Sequence, residues 1–191
     1  FQYGVTEGVS PLRELIAAEM AERQVACSAD DVLISTGSQQ GLDLLGKIYL
    51  DPGDVILTET PTYLAAIQAF QCFQARFQPV ATDDQGVIPE AVDELAATAQ
   101  PRFLYVIPNF QNPTGLSYSQ KVHDRVVEIF QGTDIVVLED NPYRELRFSG
   151  TATDSFGKEL GEQCCMLGTF SKIVAPGMRI GWVCVRNKAL R

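Results

Sequence analysis

Seven apolar runs of strand length, at 32–35, 55–58, 75–79, 103–107, 135–139, 165–168 and 180–185, alternate with helical patterns along the whole chain. The helix signals lie at 11–23, 39–50, 63–73, 89–99 and 119–131. This alternation constrains the fold more than any other feature. The runs lack a clean apolar/polar alternation, so both faces of each strand are expected to be buried. Strands of that kind separated by helices predict an α/β fold: a mostly parallel sheet with helices on both faces. In the first helix Ser10 reads as the N-cap and Pro11 as the first residue. Leu12, Leu15, Ile16 and Met20 then read as one apolar stripe.

Ligands in such sheets bind beyond the carboxyl ends of the strands, so the strand-to-helix turns are the places to search. Four stand out. "STGSQQG" (35–41) leads through Gly37 into a helix, where free amides and the Ser38 hydroxyl suit an anion. "PNFQNPTG" (108–115) follows the run "FLYVI"; Asn112 precedes a proline, which favours extended backbone and can aim its side chain out of the turn. "IVVLEDNPYREL" (135–146) sets Glu139 and Asp140 at the end of a buried strand, where a carboxylate needs a cation or a strong donor. "TFSKIVAPGMRIGW" (169–182) places Lys172 among small and apolar residues, with Arg179 beyond a Pro-Gly turn. A desolvated lysine can attack a carbonyl, and an arginine offers a forked set of donors to a phosphate.

Other chemistries are disfavoured. The 15 basic and 24 acidic residues give a net charge of -9, which argues against a nucleic-acid or anionic-membrane partner. There is no GxxxxGK[ST], and no GxGxxG follows a strand. One histidine and five cysteines without a CxxC pair make no metal constellation. The cysteines read as reduced, mostly buried thiols in a cytoplasmic protein, and no apolar run reaches membrane-spanning length. His123 reads as a solvated surface residue, and Arg144 and Arg147 as ion-paired or solvated. Phe70, Phe73 and Phe77 read as core, and Asp83 with Asp84 as a turn.

An anion cradle, an asparagine, a buried carboxylate and a lysine with an arginine together suit an aldehyde that bears a phosphate and a ring nitrogen. Pyridoxal 5'-phosphate is such a molecule. Here the chain resembles the fold-type I pyridoxal-phosphate aminotransferases of classes I and II. The motifs are "YGVTEGVSPLRE", "STGSQQGLDLLGK", "PGDVILTETPTY", "PNFQNPTG", "LEDNPYREL" and "TFSKIVAPGMRIGW". They are similar to the branch that holds aminoadipate and kynurenine aminotransferases and the effector domains of MocR-type regulators.

The resemblance implies transfer of an amino group from an amino acid to a 2-oxo acid. Lys172 would form the Schiff base and shuttle the proton, and Asp140 would pair with the pyridine nitrogen. Tyr143 and Asn112 would bond the ring hydroxyl oxygen. Ser38, Gln39, Thr169 and Arg179 would hold the phosphate, and Tyr63 would stack on the ring. Tyr3 would reach the cofactor of a neighbouring subunit, in a homodimer with shared sites. Residues 1–191 would be an incomplete large domain, without the family's N-terminal segment and C-terminal small domain. The alternatives are a regulator's effector domain that binds the cofactor without turnover, or a truncated piece without activity. Asn141 stands where many relatives of the branch carry a second aspartate.

Overall fold

The computed structural model describes residues 2–188. Nine strands and six α-helices are assigned among them. The helices are α1 (Ser10–Glu22), α2 (Ser38–Tyr49), α3 (Leu64–Gln71), α4 (Pro89–Ala99), α5 (Gln120–Phe130) and α6 (Phe156–Leu160). The strands are β1 (Val32–Ser35), β2 (Val55–Glu59), β3 (Arg76–Val80), β4 (Thr82–Asp83), β5 (Gly86–Val87), β6 (Phe103–Val106), β7 (Val136–Asp140), β8 (Cys164–Thr169) and β9 (Gly181–Val185). Seven strands form one sheet in the order β1-β9-β8-β7-β6-β2-β3, and β4 and β5 make a separate hairpin whose turn is Asp84 and Gln85, with Asp83 in the strand.

Within the seven-stranded sheet only β9 runs antiparallel, against both β1 and β8. Two reversals restore direction, so β1, β2, β6, β7 and β8 all end at the same edge of the sheet. Successive residues of β6 serve opposite faces. Phe103 and Tyr105 pack with Leu42, Leu45 and Phe70 of α2 and α3. Leu104 and Val106 pack with Val92, Val126 and Phe130 of α4 and α5. Both faces are therefore apolar, which is why the strand runs read as continuous. Phe73 and Phe77 are half-buried against the first cluster, and Cys164, Cys165 and Cys184 are buried. No described helix is long and apolar enough to cross a membrane.

Three sequence expectations fail here. Ser10 is the first helical residue rather than the cap; Val9 occupies that place and no side chain caps the helix. Leu15 is 69% exposed, because the buried face of α1 is set by Ile16 and Met20, with Leu12 packing beside them. His123 is fully buried rather than solvated, its ring stacked on Phe156 with centroids 4.6 Å apart. The short helix α6 that covers it carries too few turns to give a periodic signal.

Candidate functional site

The turns that follow β1, β6, β7 and β8 converge on a cavity of about 180 Å³ at the shared strand edge. From the β1 turn come Gly37, Ser38 and Gln39; from beyond β2 comes Tyr63; Asn112 and Asp140 come from beyond β6 and the end of β7. Tyr143, Thr169, Lys172 and Arg179 complete the group. Nine of the ten residues singled out from the sequence thus share one cavity. Tyr3 does not line it and is 99% exposed.

The anion side is built from backbone packed tightly on backbone. Helix α2 begins at Ser38, so its first amides are free of helical partners. Gly37 adopts φ 75°, and a Cβ there would lie 2.8 Å from Arg179 Nη2. The guanidinium therefore lies against the bare Cα, beside the helix start. Gly181 makes this approach possible: a Cβ on it would sit 2.4 Å from the Gly37 carbonyl carbon. Gly181→Ala should destabilise the fold by about 1–3 kcal/mol, measured by urea unfolding, because backbone cannot yield as a flexible side chain can. Thr169 Oγ1 donates to Ile180 O at 3.2 Å and accepts from the Ser171 amide at 3.2 Å, tying the two ends of the lysine loop together. Gln39 Nε2 donates to Ala65 O at 3.0 Å, which anchors its side chain to the first turn of α3.

Asp140, the last residue of β7, is 2% exposed. Its Oδ2 accepts from the Tyr105 hydroxyl at 2.8 Å. Its Oδ1 is buried and has no partner among the described residues. Burial pushes this carboxyl up to about 6, and the Tyr105 hydrogen bond only partly opposes that. Glu139 is fully buried and accepts from Ser155 Oγ at 2.7 Å and from Asn141 Nδ2. The Glu139 donors are neutral, so no cation is needed there, whereas Asp140 keeps one buried oxygen open. Asn141, which sequence reasoning leaves without an account, bridges Glu139 to Asn109, whose Nδ2 donates to it at 2.9 Å.

Lys172 departs from its expected setting. It is exposed, and so is Arg179. The sheet stops at Thr169, so the lysine stands in a turn beyond the strand ends, where no neighbouring strand covers it. Its Nζ lies 5.9 Å from the centre of the Tyr143 ring. Tyr143 in turn accepts from Asn112 Nδ2 at 3.4 Å. Tyr63 is half-buried, and burial raises its hydroxyl pKa. The arginines also differ from expectation. Arg144 donates to Thr153 O at 2.7 Å, and Arg147 donates to Asn109 Oδ1 at 3.0 Å while lying over the Phe110 ring.

Sequence reasoning missed Ser171, which lines the cavity, and Tyr105, which holds Asp140. Ser171 was legible as a second hydroxyl beside the lysine. Tyr105 was hidden inside an apolar run, where a tyrosine reads as core. Among the described residues no cluster of histidine, cysteine and acidic side chains is able to hold a metal ion.

The family model described as "Aminotransferase class I and II" matches residues 1–191. The chain is 41% identical to an aromatic-amino-acid aminotransferase of Thermococcus litoralis, over 100% of this chain and 47% of the relative. The crystal structure of the kynurenine aminotransferase of Pyrococcus horikoshii, in complex with PMP and substrates, superposes with a TM-score of 0.91 at 38% identity, covering 100% of this chain and 48% of the other. An uncharacterised HTH-type transcriptional regulator of Bacillus subtilis, YisV, is 33% identical over 95% of this chain and 38% of its own length. The chain spans about half the length of the curated aminotransferases it matches.

Proposed function

Because the chain belongs to the class I and II aminotransferase family, we propose that it is the cofactor-binding part of a pyridoxal-phosphate-dependent transaminase. That enzyme moves an amino group from an amino acid to a 2-oxo acid. One observation carries the reading: Lys172, Asp140 with its one partnerless oxygen, and Arg179 beside the start of α2 all line a single cavity.

The cavity fits the cofactor by its chemistry. A protonated ring nitrogen at Asp140 Oδ1 would satisfy a buried oxygen that otherwise costs stability. Arg179, the Ser38 end of α2 and Ser171 form a set of donors for a phosphate, which Thr169 would join by turning its hydroxyl from Ile180 O, with Gln39 bracing the neighbouring turn. Asn112 and Tyr143, already hydrogen-bonded to each other, would hold the ring hydroxyl oxygen, and Tyr63 would lie along the ring face. When bound, pyridoxal phosphate supplies an aldehyde for an amine and a ring that draws electrons from the substrate's Cα. The Lys172 amine is the group within reach that can take that aldehyde and later carry the Cα proton.

The test is to load the full-length protein with pyridoxal phosphate and add amino acids singly. The expected result is stoichiometric conversion to pyridoxamine phosphate with at least one of them; retention of the starting spectrum with all of them would remove the enzymatic reading. Arg179→Ala should weaken cofactor affinity by about 10- to 100-fold, as expected for losing charge-assisted hydrogen bonds worth about 1.5–3 kcal/mol. Titration of cofactor-free protein by fluorescence measures it.

The proposal extends to a cytoplasmic homodimer, with Tyr3 reaching across to the second copy's phosphate; the full exposure of Tyr3 supports this. Sedimentation of the full-length protein, with and without Tyr3→Ala, tests it. The likeness to YisV supports a second reading, an effector domain that holds the cofactor without turnover. Cofactor uptake with no amino-group transfer to any 2-oxo acid would favour it.

A further inference from the structure

We infer that Glu59 is a positioning residue: its carboxylate, acting through Gln111, fixes the relative placement of Asn112 and Tyr63 in the cavity wall. The inference rests on the cofactor reading above only for its consequence, not for its geometry.

Glu59 ends β2 and is 3% exposed. Its Oε1 accepts from the Tyr118 hydroxyl at 2.9 Å. Its Oε2 accepts from the Ile107 amide at 3.1 Å and from Gln111 Nε2 at 3.3 Å. All three neighbours present donors. An ionised carboxylate, which only accepts, matches all of them; the acid form either sets a proton against the two N–H donors at Oε2 or carries it on Oε1 and reverses the Tyr118 hydroxyl, and in both cases the charge that strengthens the bonds is lost.

Gln111 is 4% exposed and uses its carboxamide on both sides. Besides Glu59, Nε2 donates to Pro61 O at 2.8 Å. Oε1 accepts from the Thr114 amide at 2.9 Å and from Thr114 Oγ1 at 2.7 Å. One side chain thus ties the end of β2, the segment two residues before Tyr63, and the turn that contains Asn112. Such a knot holds only if every member is satisfied, and the acceptor at its base is Glu59.

The titratable groups facing Glu59 are Asp140 from β7, Tyr105 from β6 and Tyr118 from the loop before α5. Burial, reinforced by the Asp140 charge and opposed by the three donors, pushes the Glu59 carboxyl up to about 7. The knot therefore loosens as pH falls through about 7, when the carboxylate takes up a proton.

The experiment is amide hydrogen exchange on the cofactor-free, full-length protein at a series of pH values, corrected for the intrinsic pH dependence of exchange. Peptides covering 60–64 and 107–118 report the two tied segments. In the wild type, protection of both should fall about tenfold together as pH drops through 7, roughly the worth of one or two hydrogen bonds. In Glu59→Gln both should sit at the lower level throughout. In Gln111→Ala the pH step should survive near Ile107 and vanish at 60–64. Should Glu59→Gln fail to fold, Gln111→Ala decides alone. A wild type without the step, or a step at 60–64 that persists in Gln111→Ala, overturns the inference. Gln111→Ala should also weaken pyridoxal phosphate binding about tenfold. A wild type that shows the step but takes up no cofactor would sink the functional reading and leave the positioning role standing.

Discussion

Lys172→Ala should abolish amino-group transfer, lowering turnover by at least about 10⁴-fold. This is the upper end of what a positioned proton carrier contributes, and the same amine is proposed to hold the cofactor's aldehyde. The structure supports the size of the effect by what it offers in place of Lys172. Arg179, the other cation lining the cavity among the described residues, lies against Gly37, and a guanidinium offers donors but no acceptor. Tyr143, Tyr63 and Asp140 also line the cavity; burial raises the Tyr63 pKa, and Asp140 is proposed to face the ring nitrogen instead. Borohydride treatment of the loaded wild type, followed by peptide mapping, should find the cofactor fixed to the peptide that contains Lys172. A label that stays in place in Lys172→Ala would reassign the amine.

Asp140→Asn should have two effects of opposite sign. With cofactor, the loss of a buried carboxylate from a charged partner costs about 3 kcal/mol or more, on the order of 10²-fold in turnover. Without cofactor, the same change should stabilise the protein. The folded-state value of about 6 lies above the ordinary 3.8, so burial favours the protonated form. Stability from this group is complete below about pH 4 and is lost as pH rises through about 6. At pH 8 the aspartate is ionised, with one oxygen bonded by Tyr105 and the other partnerless. Asparagine escapes that cost, worth up to about 3 kcal/mol. Urea unfolding of the cofactor-free protein at pH 5 and pH 8 should show the variant gaining a further ~1.4 kcal/mol on the wild type between the two. Equal stability at pH 8 would mean that Asp140 is solvated rather than buried.

The order of strands and helices was legible because both faces of the sheet are apolar, and that leaves a signal in every run. The strand ends were legible to within a residue, and it is the strand ends that position the turns. The cavity's ring of residues followed from the rule that such turns gather at one edge. What escaped were features that depend on a second element. His123 looks polar until α6 covers it. Leu15 looks like core until the turn of α1 leaves it outside. Lys172 looks desolvated by its apolar neighbours in sequence, but Ile173 and Val174 are themselves exposed in the turn beyond β8.

By itself, the sequence determined the α/β class, a mostly parallel sheet, the four turns and the chemical inventory they carry. These are local properties: apolar periodicity, turn residues, and a charge placed at the end of a strand. Only the tertiary structure decided which atoms are satisfied and which remain open. That Tyr105 occupies one oxygen of Asp140 and leaves the other bare depends on β6 lying beside β7, 35 residues apart in sequence. That Glu59 is anchored by Gln111 depends on a contact across 52 residues. Hydrogen-bond satisfaction and burial are decided by neighbours across the sheet, and spacing along the chain does not encode them.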